Sequence, residues 1–282
     1  MISTVFLLLY LKVNSPFFMN RTLLFFGMLI WSHALNAQVN IFGKPGHIMT
    51  PSAYWQDNKH LGLSFAYVPA SYGVNGFMGT LEDAQIVYSA RVAMADFVEV
   101  NLNITRIPAL SDSIGIGDRH LDIRIKLLEE KEILPALSII ISPPGSIAPH
   151  ISHDVLVASK TFEVGQLGTI ALTAGYGLPY YFGRASKNSG SGIWDKLSFT
   201  KKSKQGNNYL NGVFGAALWH PWDFLGLMAE HDSRNINFGA VLKLNDWLLL
   251  QAHSYELKKL GFSLALQVPL DFEPKELRSY GK

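Results

Sequence analysis

The sequence predicts an all-β chain that closes as an antiparallel transmembrane β-barrel of twelve strands in an outer membrane, and three observations carry that prediction. The first is strict period-two alternation with charge on the polar side. In FVEVNLNITR at 97–106, Val98, Val100, Leu102 and Ile104 fall on one side, and Glu99, Asn101, Asn103 and Thr105 on the other. Leu121, Ile123, Ile125 and Leu127 likewise interleave with Asp122, Arg124 and Lys126, and Ile236, Phe238, Ala240 and Leu242 with Asn237 and Lys243. A soluble sandwich would have to expose the Ile and Leu rows while burying Asp122, Arg124 and Lys126, which desolvation makes too costly. The second observation is composition. The 282 residues are 48% hydrophobic and 16% charged, yet beyond residue 37 no apolar run reaches the length of about 18 residues that a membrane helix needs. Alternate strand residues coat a lipid-facing band without such a run. The third is an export signal at the N-terminus.

That signal reads best from Met19: MNRTLLFFGMLIWSHALNAQ has a positive start at Arg21, an apolar stretch from Leu23 to Trp31, and a polar, small-residue end at Asn36 and Ala37. Residues 1–37 are therefore assigned to a signal peptide with its true start at Met19 and cleavage after Ala37. The alternative is a genuine extension or an uncleaved anchor. Residues 38–59 follow as an N-terminal segment; Pro45 and Pro51 suit it poorly to a central ladder, so it is expected to plug the lumen, to pack beneath the barrel or to form a first edge strand. The barrel is expected over 60–272 and a polar tail over 273–282.

Within the barrel, strand patterns fall at 60–70, 82–94, 97–106, 118–129, 133–143, 152–162, 167–178, 211–220, 223–232, 234–244, 247–256 and 258–270. If the first strand runs outward, Ala95 with Asp96, Pro221 with Trp222, and Asn245 with Asp246 become periplasmic turns. The longer links 71–80, 107–117, 144–151 and 179–210 then all lie outside, as bacterial barrels arrange them. The last strand alternates through Leu260, Phe262, Leu264, Leu266, Val268, Leu270 and Phe272, and its core KKLGFSLALQ resembles the terminal-strand signal read by the outer-membrane barrel-assembly machinery.

Several segments together resemble one family: GKPGHIMTPSAYW at 43–55, GDRHLDIRIKLLEE at 117–130, LVASK at 156–160, and the late block AEHDSRNINFGAVLKLNDWLLLQAHSYELKKLGFSLALQ. In their order and spacing, with Gly117, Asp118, Arg119 and Asp122 near one strand start and Glu230 with Asp232 in another strand, they look like the YjbH family of outer-membrane exopolysaccharide-associated proteins. The resemblance spans most of residues 43–268 and marks the chain as a short, single-unit member. It implies an outer-membrane β-barrel of a Gram-negative bacterium acting in production or export of polysaccharide, capsule or biofilm matrix.

The polar face collects Asp83, Arg91, Glu99, Asp122, Arg124, Lys126, Asp154, Lys160, Glu230, Asp232 and Lys243. Charges in a narrow interior must be paired or hydrated, so these residues predict an ion-pair network bracing the wall. The second reading lines a polysaccharide or solute path with some of them. The loop Gly183–Asn208 sets Arg184, Lys187, Lys196, Lys201, Lys202 and Lys204 against a single acid, Asp195. With Trp194 it forms a candidate contact for anionic glycan. Tyr180 and Tyr181 are assigned to an interfacial aromatic girdle rather than to sugar stacking.

Other chemistry is narrowed by residue type. Zero cysteines exclude disulfides, thiolate metal sites and a cysteine-anchored lipoprotein, and a net charge of +2 argues against a nucleic-acid partner. Ser152, His153 and Asp154 offer triad residue types, but neighbours on a strand point to opposite faces. The same periodicity separates His231 from Glu230 and Asp232, so no metal site, no cofactor and no catalytic residue is expected. A cross-strand pairing of His253 with an acid is the remaining route to a lipid-modifying site. The expected function is non-enzymatic participation in exopolysaccharide or capsule production, secretion or surface assembly. The expected partners are outer-membrane lipid, the barrel-assembly machinery, polysaccharide and other secretion components. The alternatives are a general small-solute pore and an outer-membrane lipid or glycan hydrolase.

Overall fold

A computed structural model describes residues 38–56, 59–73, 83–110, 117–143, 152–184, 197–205 and 209–269. The expected signal peptide and the polar tail lie outside these residues. Twelve strands close on themselves, each paired with its neighbours along the chain and the first with the last, every described pair antiparallel. In chain order they are β1 (Leu61–Val68), β2 (Gln85–Ala95), β3 (Val98–Arg106), β4 (Asp118–Leu128), β5 (Ala136–Ile141), β6 (Val155–Glu163), β7 (Thr169–Gly177), β10 (Gly212–Trp222), β11 (Leu225–His231), β12 (Ile236–Asn245), β13 (Leu248–Tyr255) and β14 (Lys259–Val268). β8 (Tyr180–Arg184) and β9 (Leu197–Lys201) form a separate two-stranded sheet.

The twelve expected strands are thus the twelve of the wall, and the differences are local. The two strands β8 and β9 arise within 179–210, which the sequence predicts as one long outer link. They pair with each other, Phe182 opposite Phe199, because β7 and β10 already pair directly from Gly177↔Gly212 to Thr169↔His220. β5 begins at Ala136 rather than residue 133, after Pro135, which has no N–H to give a ladder. β6 begins at Val155 rather than 152, since the Asp154 carboxylate takes the Ser142 N–H at 2.8 Å. The turn expected at Pro221 and Trp222 sits two residues later, at Asp223 and Phe224, because β10 runs through Trp222 past a register shift. The turns expected at Ala95 with Asp96 and at Asn245 with Asp246 each sit one residue later, at 96–97 and 246–247, and in the second the Trp247 N–H donates to the Asn245 side chain at 3.0 Å.

Alternation sorts the faces. Glu99, Asn101, Asn103 and Thr105 are buried inside, while Leu102, Leu121, Leu156, Leu172, Phe238, Phe262 and Leu264 stand exposed outside. Rings gather at the end that carries the connections 96–97, 223–224 and 246–247: Phe97, Phe162, Trp222, Phe224 and Trp247 are all exposed there, with Trp222 and Phe224 stacked at 5.8 Å. The register shifts after Ala93, Lys126, Trp219 and Lys243 cluster at that same end, where bulges commonly finish a barrel rim.

A wall of twelve strands is wider than its own side chains fill. The interior is occupied by residues 38–56, of which all but Tyr54 are buried. Asn40 folds this segment back on itself. Its side chain accepts the Phe42 and Lys44 N–H groups at 3.0 and 3.1 Å and donates to the Met49 carbonyl at 3.2 Å. Short bridges Val39↔Pro45 and Gly46↔Pro51 complete the turns, so the prolines sit outside any wall ladder. Gly43 has φ +73°, and a Cβ there would come within 2.5 Å of the Ser89 Cβ, so the tip tolerates no side chain. Ile41, Phe42, Ile48, Met49 and Ala53 then pack against Tyr209, Leu210, Phe214, Leu218, Met228, Val241 and Tyr255.

Candidate functional site

Three polar clusters join the wall to this internal segment, and period-two geometry supplies the wall half of each. In the first, Glu99 on β3 receives Arg91 of β2 at 2.7 Å and Arg124 of β4 at 2.9 Å. Arg91↔Asn101 and Glu99↔Arg124 are cross-strand partners, which brings the three side chains to one level of the wall. Both guanidiniums continue onto the segment. Arg91 donates to the Gln56 side chain at 2.5 Å and the Lys59 carbonyl at 2.9 Å, and Arg124 to the Ser52 carbonyl at 3.0 Å and to the Tyr54 carbonyl. Arg124 also lies 4.7 Å from the centre of the Trp55 ring.

In the second, Glu230 of β11 takes three successive backbone N–H groups of the segment: Ile48 at 3.0 Å, Met49 at 2.8 Å and Thr50 at 3.1 Å. The Thr50 hydroxyl adds a fourth bond at 2.9 Å and Asn237 a fifth at 3.0 Å. Tyr209 donates its hydroxyl to the Met49 carbonyl at 2.8 Å, and burial pushes that phenol far above its ordinary value.

In the third, the Lys44 ammonium stands 2.8 Å from Asp122 of β4 and 2.9 Å from the His153 ring. His120, two residues before Asp122 and so on the same face, approaches the Asp122 carboxylate at 3.8 Å. Burial lowers the Lys44 ammonium from its ordinary range against the pull of Asp122.

The expected lumen residues therefore divide. Arg91, Glu99, Asp122, Arg124, Glu230 and Asp232 are buried inside, Asp232 held by Asn237 at 2.9 Å and by the turn N–H groups of Arg234 and Asn235. Lys126, Lys160 and Lys243 are half-buried and pair with Glu129 at 2.5 Å, Glu130 at 3.1 Å and Asp246 at 2.8 Å. Asp83 precedes β2 and Asp154 precedes β6, so neither stands in the wall. Burial raises the Asp154 carboxyl above its ordinary range.

The basic loop divides as well. Lys201 and Lys204 are exposed, while Lys202 is fully buried, its N–H bonded to the Pro179 carbonyl at 2.9 Å. Burial lowers its ammonium to about 8. Lys202 therefore belongs to the packing of the loop base and not to a free basic surface. Arg184 lies in β8 opposite Leu197, and Lys187, Trp194 and Lys196 fall outside the described residues. Tyr180 is exposed near Phe199, but Tyr181 is buried, which removes it from an interfacial girdle.

The triad types at 152–154 diverge: His153 faces Lys44 and Tyr209, while Asp154 accepts from Ser142. His231 is exposed and its neighbours Glu230 and Asp232 buried, as alternation requires. His253 meets the Tyr255 hydroxyl at 3.2 Å, with no acid among its described hydrogen bonds. Alternation places Asn101, Asn103 and Asn237 on the polar face without marking them as site candidates, since they carry no charge; in the structure the first two donate to Asp122 and the third to Glu230. Lys44, His120 and His153 were missed as a group because they come together only across 78 and 109 residues.

The internal segment is acid-sensitive through His47. Burial holds its imidazole at about 4, against 6.5 in an open chain. The unfolded ring takes a proton near pH 6.5 and the folded ring only near 4, so this contribution is complete above pH 6.5 and is lost as pH falls towards 4. The urea midpoint should fall across that window and fall less in His47→Gln; an equal fall in both proteins would place the acid sensitivity elsewhere.

Residues 38–279 match the family model for YjbH, described as exopolysaccharide biosynthesis protein YbjH. No curated protein matches the chain.

Proposed function

The chain belongs to the YjbH exopolysaccharide biosynthesis family, and from that premise we propose that it is a non-enzymatic outer-membrane barrel for secretion or surface assembly of polysaccharide, capsule or biofilm matrix. The observation that carries the reading is the family match over a closed twelve-stranded barrel. An exposed apolar exterior, strands mostly of 8–11 residues and a ring of Phe and Trp at one rim support a bilayer setting, since spanning strands need about 9–11 residues and carry such girdles. Occupation of the interior by residues 38–56 weighs against an unregulated solute pore. The exposed Lys201 and Lys204 are the described cations of the outer loop that remain available to anionic glycan.

The test is a deletion strain, in which secreted and cell-bound polysaccharide are measured beside complementation with the wild type and with Lys201→Gln/Lys204→Gln. Polysaccharide should fall on deletion, return with the wild type and return incompletely with the loop variant. Unchanged polysaccharide on deletion overturns the reading, and full return with the loop variant removes these lysines from it.

A further inference from the structure

The third polar cluster holds more donors than a lysine tether uses. His120, Asp122 and His153 each present one potential metal-ligating atom, all three atoms lie within 4.8 Å of one another, and all three residues are buried. Two come from one strand at period two, and the third stands just before β6, where its N–H donates to the Ser142 hydroxyl at 2.9 Å. The Lys44 ammonium reaches Asp122 Oδ2 and His153 Nε2 at 2.8 and 2.9 Å. Asp122 Oδ1, fully buried, has no hydrogen-bond partner among the described residues. A carboxylate buried with one oxygen unused costs free energy that a multivalent cation held by both carboxylate oxygens would recover.

We propose that His120, Asp122 and His153 form a site for a late first-row divalent metal such as Zn²⁺, for which the Lys44 ammonium is the resident competitor. Two imidazoles and a carboxylate are a donor set suited to Zn²⁺ and its first-row neighbours. Tetrahedral Zn²⁺ places its ligand atoms roughly 3.3 Å apart. The separation of 3.8 Å between His120 Nε2 and Asp122 Oδ2 therefore closes by about half an ångström on loading. A metal at about 2.1 Å from Asp122 excludes an ammonium that now stands 2.8 Å from the same oxygen. Loading thus replaces a bond between wall and internal segment with one joining β4 to the start of β6, and frees the Lys44 turn from the wall. The inference does not depend on the glycan reading.

The test uses the purified full chain in detergent micelles with Co²⁺ as probe, read by its visible absorption, which is intense only in tetrahedral sites. Lys44→Met removes the competitor at similar length, and it should bind one Co²⁺ at least tenfold more tightly than the wild type. His153→Ala in the same background should abolish the bands. Absence of tetrahedral bands from both wild type and Lys44→Met at millimolar Co²⁺ overturns the proposal, as do bands that survive His153→Ala. If Lys44→Met does not fold, the wild type decides: bands that His153→Ala removes support the site, and no bands refute it.

Discussion

Glu99→Ala is expected to lower the unfolding free energy of the barrel by about 3–5 kcal/mol, measured by urea titration in detergent or vesicles. The size follows from what remains. Arg91 and Arg124, now 2.7 and 2.9 Å from the two carboxylate oxygens, would face each other in the interior with no counter-ion between them. Both are about 1% exposed, so water cannot replace the lost carboxylate without opening the wall. Glu99→Gln keeps one acceptor and removes the charge, and should fall between alanine and wild type. A loss below about 1 kcal/mol for the alanine variant, the scale of a solvated pair, would show that the triad does not brace β2, β3 and β4.

Glu230→Ala is expected to release the internal segment rather than the wall. The substitution leaves three backbone N–H groups and the Thr50 hydroxyl without their acceptor, each worth about 1–3 kcal/mol when buried. Asn237 keeps Asp232 at 2.9 Å, and the ladder between β11 and β12 is untouched, so the strands retain their pairing. The barrel should still migrate as a folded species on unheated gels. Protease should cut within residues 38–56, and planar-bilayer recordings should show a larger conductance than the wild type gives. A closed, protease-resistant lumen in this variant would mean that the apolar contacts of Ile48 and Met49 hold the segment unaided.

The two variants act differently because the wall has two kinds of charge. Glu99 is neutralised by wall arginines, one strand away on each side. Asp122 and Glu230 are not. The segment supplies their complement as the Lys44 ammonium and the N–H groups of residues 48–50. Asp122 and Glu230 are thus two of the points where the segment docks, and the guanidiniums of Arg91 and Arg124 are a third, which explains why so polar a peptide as NIFGKPGHIMTPS is held inside.

The wall was legible in the sequence because alternation is a local property. Val98–Arg106 needs no distant partner to show which side is polar, and the turn chemistry of Asn245 and Asp246 marks a strand end within a few residues. Where boundaries moved, a side chain had intervened, as at Asp154, or a bulge had carried a strand onward, as at Trp222. Burial of individual loop residues was not legible. Lys201, Lys202 and Lys204 read alike in the chain, and only the fold turns Lys202 inward beneath Pro179.

By itself the sequence determined the twelve strands, their alternating faces, the family and those charges of the inner wall that lie on strands, though not that Asp83 and Asp154 fall outside it. The tertiary structure alone decided that residues 38–56 fill that wall, that Lys44 meets Asp122 across 78 residues, and that His120 and His153 share a site. Closure of β1 onto β14 is the physical reason. It places strands far apart in the chain around one volume, and the contacts across that volume have no sequence period to announce them.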